Sequence, residues 1–242
     1  MSRITKVIAR QVFDSRGNPT VEAEVFSKNI SSSSICPSGA STGSYEAHEK
    51  RDLNKKNYNG KSVYKAVKII NTIIAKKLKN QKVHNQEKID HILLKLDGTK
   101  QKIKLGANSM LAVSMAVKKL SSKIKKIPLY KNFLVKNKFC LPYPLMNIIN
   151  GGAHANNDLQ IQEFMIRPDG AKSFTQAIKM SFLVINNLKK ILKKLKLSTS
   201  VGDEGGFAPM IGSNAQALNL ITKAIQMSGF KNGKDISICL DV

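Results

Sequence analysis

No run of about 18 uncharged apolar residues occurs in this chain, so a membrane-spanning helix is not expected. A secretory signal is not expected either: Met1 to Val12 carries Arg3, Lys6 and Arg10, with no apolar core or small-residue cleavage site behind it. Cysteine is scarce. Cys36, Cys140 and Cys239 are an odd number, far apart, without Cys-x-x-Cys spacing and each in an apolar neighbourhood; they read as buried, reduced thiols of a cytoplasmic protein. Acids are few, 16 Asp+Glu against 40 Lys+Arg, for a formal net charge of +24. Such an excess invites a nucleic-acid reading, because clustered cations release counterions from phosphates. Yet arginine is nearly missing: 5 Arg stand against 35 Lys, beside 20 Asn, and phosphate and base recognition favours the bidentate fork of Arg. Lys, Asn and Ile share A/T-rich codons, and the lysines are spread along helical solvent faces. The charge therefore reads as a solvated surface coloured by codon bias, with no specific nucleic-acid partner.

What is present is a folding pattern. Apolar residues make up 42% of the 242, in Ile/Leu/Val-rich stretches that exclude disorder and suit one large domain or two small ones. Ile4 to Phe13 and Thr20 to Phe26 are strand-like and joined by the turn formers Asp14 to Pro19. Ser31 to Ser44 is Ser/Gly-rich and is expected to form no regular element; the string Pro37-Ser38-Gly39-Ala40-Ser41-Thr42-Gly43 at its centre could bring hydroxyls and bare amides to a ligand. Val63, Val67, Ile70, Ile74 and Leu78 recur at helical spacing, and Asn85 to Leu96 and Ala107 to Leu120 give two more helices around the turn Asp97-Gly98-Thr99. Residues 1–133 thus read as an α+β domain. The extended, proline-flanked Cys140-Leu141-Pro142-Tyr143-Pro144 marks a boundary, and 140–242 is a second domain. There, Leu145 to Ile149 and Gln160 to Ile166 are strands, Phe174 to Leu195 and Asn214 to Ser228 helices, and Ile236 to Leu240 a last strand reaching Asp241.

Chemistry-bearing residues gather where strands end. His154 follows the Gly151-Gly152 bend and Gln162-Glu163 lies close behind; a lone His or Glu is more often structural, but this is unusual company for either. Asp203-Glu204 is hemmed by Gly202, Gly205 and Gly206, a setting in which one carboxyl can be held protonated and serve as an acid, although a plain polar loop reads the same on spacing alone. Asp241 ends an apolar strand and by itself is weak evidence for a metal ligand.

Taken in order, the strings Asp14-Ser15-Arg16-Gly17-Asn18-Pro19-Thr20-Val21-Glu22, Pro37 to Gly43, Leu105-Gly106-Ala107-Asn108, Met146 to His154, Ile161-Gln162-Glu163-Phe164-Met165 and Val201 to Gly206 resemble those of the enolase family over essentially the whole chain. The resemblance implies reversible dehydration of 2-phosphoglycerate to phosphoenolpyruvate, a glycolytic hydro-lyase reaction. It implies an α+β N-terminal cap followed by the first part of an incomplete α/β (TIM-like) barrel, with reacting groups at the carboxyl ends of barrel strands. Enolases hold the substrate carboxylate on two Mg²⁺ ions so that a weakly acidic α-proton can leave, and enolase-superfamily sites are the standard example of that arrangement. By residue, Asp241 matches a ligand of the first ion and Ser41 a contact of the second. Glu204 matches the general acid that expels the C3 hydroxyl, Glu163 its partner near the leaving group, and His154 and Gln162 substrate contacts. Arg16 and Glu22 match a segment facing the partner of a homodimer. Family members are cytoplasmic, and some are also found at the cell surface or secreted.

The resemblance also carries a departure. Family chains continue beyond the position of Asp241 and hold there the remaining metal ligands, the Lys base and the groups that grip phosphate. The expectation is a chain truncated after its third barrel strand, exposing a parallel sheet edge, inactive alone or served by a complementing C-terminal half. The rival is a non-catalytic remnant that binds a partner or polyanions, for which the basic charge is the one support.

Overall fold

Asp14 makes the first reversal of the chain. In the computed structural model, which describes residues 2–39, 42–133, 139–202 and 205–242, its carboxylate accepts the N–H groups of Arg16 and Asn18, each at 2.9 Å, and Gly17 takes φ 73°. This turn joins β1 (Lys6–Phe13) to β2 (Pro19–Ser27), antiparallel with Phe13 opposite Pro19. Val21, Ala23 and Val25 alternate into the core, as a strand period of two requires.

The serine-rich stretch departs from expectation. Ile30–Cys36 forms β3, antiparallel to β2 from Ser27–Ile30 to Val21–Cys36. Serine carries no strand signature; its place is set by the hydrogen bonds of β2 and by packing on a helix. That helix, which spans Ala107–Lys125, reaches back with Lys119, which donates to the Ser33 carbonyl at 3.4 Å and the Ser34 hydroxyl at 3.2 Å, and with Lys123, which donates to the Ser31 carbonyl at 3.0 Å.

The helical spacing from Val63 produces α1 (Tyr64–Ile69) and α2 (Ala75–Leu78), continuous through a π turn at Ile70–Ile74. Within that turn Asn71 donates to the Ala9 carbonyl at 3.1 Å and accepts the Ala9 N–H at 2.7 Å. Its amide so completes the free edge of β1. Helix α3 (Gln86–Asp97) is capped by Asn85, whose side chain accepts from the Lys88 N–H, and stops at left-handed Gly98. Helix α4 (Ala107–Lys125) buries Ala112, Val113, Ala116, Val117 and Leu120 against the sheet. A single turn, α5 (Leu129–Asn132), follows. These elements lie in one compact unit, Met1–Lys138, with one apolar core.

The second unit, Phe139–Val242, has its own core. Strand β4 (Met146–Asn150) pairs with β5 (Glu163–Arg167), helices α6 (Phe174–Lys194) and α7 (Asn214–Met227) follow, and β6 (Ser237–Asp241) pairs with β5's other edge. Ser173 and Ser213 cap the two helices, accepting from the Gln176 and Gln216 N–H groups. Phe164 and Ile166 are buried with Val184, Leu188, Ile221 and Ile225, so one sheet face packs on both helices.

The strand directions correct the expected parallel edge, because both pairings are antiparallel. The reason is topological. No crossover helix separates β4 from β5, and two helices rather than one separate β5 from β6, returning the chain to the end of the sheet it left. Cys140 is a second correction: it is exposed, because the proline-flanked segment holding it forms no strand, while Cys36 and Cys239 are partly buried. The three described thiols are free. No helix among the described residues is long and apolar enough to cross a membrane.

Candidate active site

Antiparallel pairing decides which residues meet. Because β5 runs opposite to β4 and β6, the last residue of β4, the first of β5 and the last of β6 fall in one row. Asn150 lies opposite Glu163, and Glu163 opposite Asp241. Directly opposed residues share a face, and Phe164, next to Glu163, points into the core. The row therefore lies on the face away from the helices. A register shift between Asn147 and Ile149 keeps Asn150 in line with Glu163. The loop after β4 closes over this end of the sheet: the Gly151 N–H donates to the Gln162 carbonyl at 2.9 Å, the Gly152 N–H to the Leu159 carbonyl at 2.7 Å, and the Gln162 N–H to the Asp241 carbonyl at 3.0 Å. A Cβ on Gly151 would stand 2.4 Å from the Ile161 carbonyl oxygen, so the closure needs a bare backbone there.

The same bend delivers His154. Its Nδ1 sits 3.3 Å from Glu163 Oε1, with both side chains largely shielded from water. The contact has the distance of a hydrogen bond without its alignment, and Nδ1 is otherwise unsatisfied. Imidazole and carboxylate thus face each other in a partly dry corner. Among the described residues His154 is the one charged-capable group on Glu163, and Asp241 is exposed with no ion pair. The opposite end of the sheet differs: Arg167 donates to Asp169 at 2.5 Å and Ser237 donates to the same carboxylate. Those hydrogen bonds, Arg167's first, hold the Asp169 pKa below the usual carboxylate range.

The glycine-hemmed segment attaches to β4's outer edge. The Phe207 N–H donates to the Ile148 carbonyl at 2.9 Å and the Asn150 N–H to the Phe207 carbonyl at 2.8 Å. Asn150, fully buried, donates from Nδ2 to the Gly206 carbonyl at 2.7 Å, and Gly202 and Gly206 pack too closely on Asn150, Asn147 and the β4 backbone to carry a Cβ freely. The Gly202 N–H donates to the Gly206 carbonyl at 2.9 Å. Glu204, with Asp203, lies outside the described residues, but both ends of its segment are fixed on the strand that ends in the Asn150–Glu163–Asp241 row. Asn150 is the residue sequence reasoning passed over. Its position just before Gly-Gly was a signal, but its burial and its grip on the 202–206 segment were not visible in the string.

In the first unit, the string around Ser38 is held at its base. Ser38 donates to the Glu49 carboxylate at 2.8 and 2.7 Å, and Arg51 donates to Ser38 Oγ at 2.7 Å and to Glu49 at 2.8 Å. Arg16 donates to the Ser38 and Gly39 carbonyls at 2.8 and 3.0 Å. Ser41 lies outside the described residues. Glu22 pairs with Arg10 at 3.0 Å.

A magnesium ion prefers near-octahedral oxygen ligation. Among the described residues no group of three or more His, Cys, Asp or Glu could hold a metal ion. Asp241 has only Glu163 beside it in the row, and this donor set does not by itself fit the ion.

Two family models match the chain. One, described as the enolase N-terminal domain, covers residues 4–133; the other, the enolase C-terminal TIM barrel domain, covers 138–242. Over 242 residues the chain is 69% identical to a protein named enolase from Pelagibacter ubique (strain HTCC1062), using 100% of this chain and 58% of that protein. It is 52% identical over 245 residues to another named enolase from Ehrlichia canis (strain Jake), again 100% against 58%. The chain therefore spans somewhat under three fifths of the length of these relatives.

Proposed function

We propose, because the chain belongs to the enolase family, that it supplies the leaving-group side of the reversible dehydration of 2-phosphoglycerate to phosphoenolpyruvate. The observation that carries this reading is the Asn150–Glu163–Asp241 row with His154 against Glu163, built at the strand ends where the 202–206 segment is also anchored. In this reading Glu204 is the general acid that protonates the departing C3 hydroxyl. Glu163 stands next to that group and faces Nδ1 of the His154 imidazole at 3.3 Å, leaving the other ring nitrogen to meet substrate. Gln162 is the neighbouring substrate contact. Its backbone is clamped by Gly151 and Asp241, which fixes where its side chain emerges.

Residues 1–133 act as the cap and 140–242 as the barrel part. Asp241 would be one ligand of a first Mg²⁺ and Ser41 a contact of a second, the ions supplying charge neutralisation at the substrate carboxylate. The donor set described above is too small to hold either ion alone, and no step is assigned through them. A homodimer contact through the Arg16 to Glu22 segment, a complementing C-terminal half and a cytoplasmic location belong to the same reading.

The 242-residue polypeptide alone is expected not to turn over 2-phosphoglycerate, since the proton abstractor of the family lies in the part of the relatives that it does not span. A coupled assay tests both halves of the proposal. The purified chain should be silent with abundant Mg²⁺, and mixing it with the remaining C-terminal part of the Pelagibacter enolase should restore turnover. Ordinary turnover by the chain alone, or none after verified assembly of the two parts, contradicts the proposal.

A further inference from the structure

Between Ala171 and Lys234 the sequence holds ten lysines and, apart from Asp203 and Glu204, no acid. Helices α6 and α7 carry no acid at all. Two grooves adjoin where they lie side by side. The first, about 490 Å³, is floored by Ile191, Leu195, Leu220 and Met227 and rimmed by Lys190, Lys194 and Lys223. The second, about 430 Å³, continues from the shared Leu195 and Leu220 to Leu197, Met210 and Ile211; its polar lining is two neutral amides, Gln216 and Asn219.

The combined groove is therefore polarised along its length, with cations at one end and an uncharged apolar track leading away. Leu195, Met210 and Met227 are each more than half exposed along it, which leaves apolar surface in water that an occupant would cover. The lysines are available. Among the described residues the Lys190 ammonium reaches only Asn187 Oδ1, at 3.4 Å, and the ammonium groups of Lys194 and Lys223 make no hydrogen bond or ion pair. The site's shape matches one ligand chemistry, an anionic head joined to one flexible hydrocarbon chain. An acidic helix would ask for cations along both borders, and a membrane surface for cations around the whole apolar area; here they stop at one end.

We infer that the α6–α7 face binds a free long-chain carboxylate, a fatty acid, with its head among Lys190, Lys194 and Lys223 and its tail over Leu195 and Leu220 toward Met210. The assignment goes beyond the enolase reading and does not depend on it.

Calorimetric titration of the full 242-residue chain tests it, with sodium dodecanoate below its micelle concentration as probe, and dodecanol and acetate as the tail and the head alone. Saturable one-to-one binding of dodecanoate is expected, about tenfold or more tighter than dodecanol, with none for acetate, and weakened by salt. The double variant Lys194→Gln, Lys223→Gln should lose about tenfold in affinity at unchanged helix content and melting temperature. Leu195→Gln, an exposed position, should lose affinity for dodecanol and dodecanoate alike. Equal binding of dodecanol and dodecanoate, unsaturable uptake, or unchanged affinity in both variants would overturn the inference. So would binding to anionic phosphatidylglycerol vesicles without binding of monomeric dodecanoate, which would assign the face to a membrane surface.

Discussion

Asp97 carries a turn that the sequence announced and a burial that it did not. Its carboxylate accepts the Leu105 N–H at 2.7 Å, the Thr99 N–H at 3.0 Å and the Thr99 hydroxyl. Burial is the largest single influence on its pKa and pushes it up; the three hydrogen bonds and the charge of Lys102 together outweigh it, so the pKa lies below the usual carboxylate range. A folded-state pKa that is depressed contributes stability that is present above the unfolded value and is lost as pH falls through the folded one. Asp14, Glu24, Asp52 and Asp169 shift in the same direction. Stability should therefore fall as pH drops below about 4. Asp97→Ala leaves the buried Leu105 N–H without an acceptor and should cost about 1–3 kcal/mol in urea unfolding at pH 7. The difference from wild type should shrink at pH 3; a constant difference would contradict the assignment. Cysteine gives a second test at this scale. Burial first, and the charge of Glu49 second, push the Cys36 thiol up to about 11, whereas Cys140 is exposed. Iodoacetamide at pH 8 should label Cys140 well before Cys36 in a peptide-mass time course, and equal rates would refute the difference.

At the scale of elements, periodicity was readable and direction was not. Val63, Ile70, Ile74 and Leu78 follow one another at intervals of seven, four and four residues and all lie in the core, because burying one helical stripe imposes spacings of one or two turns. Strand β3 had no such mark: Ser31, Ser32 and Ser33 are all half-buried and Ser34 is buried, so neither exposure nor polarity alternates along them, and their strand state comes from β2 and the lysines of α4. The antiparallel order of β4, β5 and β6 was equally hidden, since it follows from how many helices separate the strands. The candidate residues His154, Gln162, Glu163 and Asp241 could be named from the string; the row that aligns two of them with Asn150 required the register. Gly151 tests that closure. In Gly151→Ala the new Cβ would lie 2.4 Å from the Ile161 carbonyl oxygen and 2.6 Å from Leu159 Cβ, and a loss of about 1–3 kcal/mol is expected. Gly43→Ala, whose Cβ would meet nothing closer than 3.6 Å, should stay within about 0.5 kcal/mol of wild type. Equal effects in denaturant melts would show that the loop does not close as described.

For the whole molecule, the +24 charge and the sparse donor set point the same way. A strongly positive field repels divalent cations and draws an anionic substrate, and among the described residues Asp241 has one carboxylate, Glu163, opposite it and no group of three metal-ligating side chains around it. A ligand stabilises a fold by RT ln(1 + [L]/Kd), which is near zero when binding is weak. Mg²⁺ should therefore raise the melting temperature of the 242-residue chain no more than NaCl of equal ionic strength. Saturable, Mg²⁺-specific stabilisation that Asp241→Asn removes would show a working metal site within the chain.

The most direct test of the leaving-group assignment is the turnover of Glu204→Gln in the enzyme reconstituted with the C-terminal part of the Pelagibacter relative, measured beside its assembly. Gln keeps the shape of Glu and cannot donate a carboxyl proton, so assembly should match wild type while kcat falls by about 10²–10⁴. Wild-type turnover in the assembled Glu204→Gln enzyme would show that this chain does not supply the acid of the reaction.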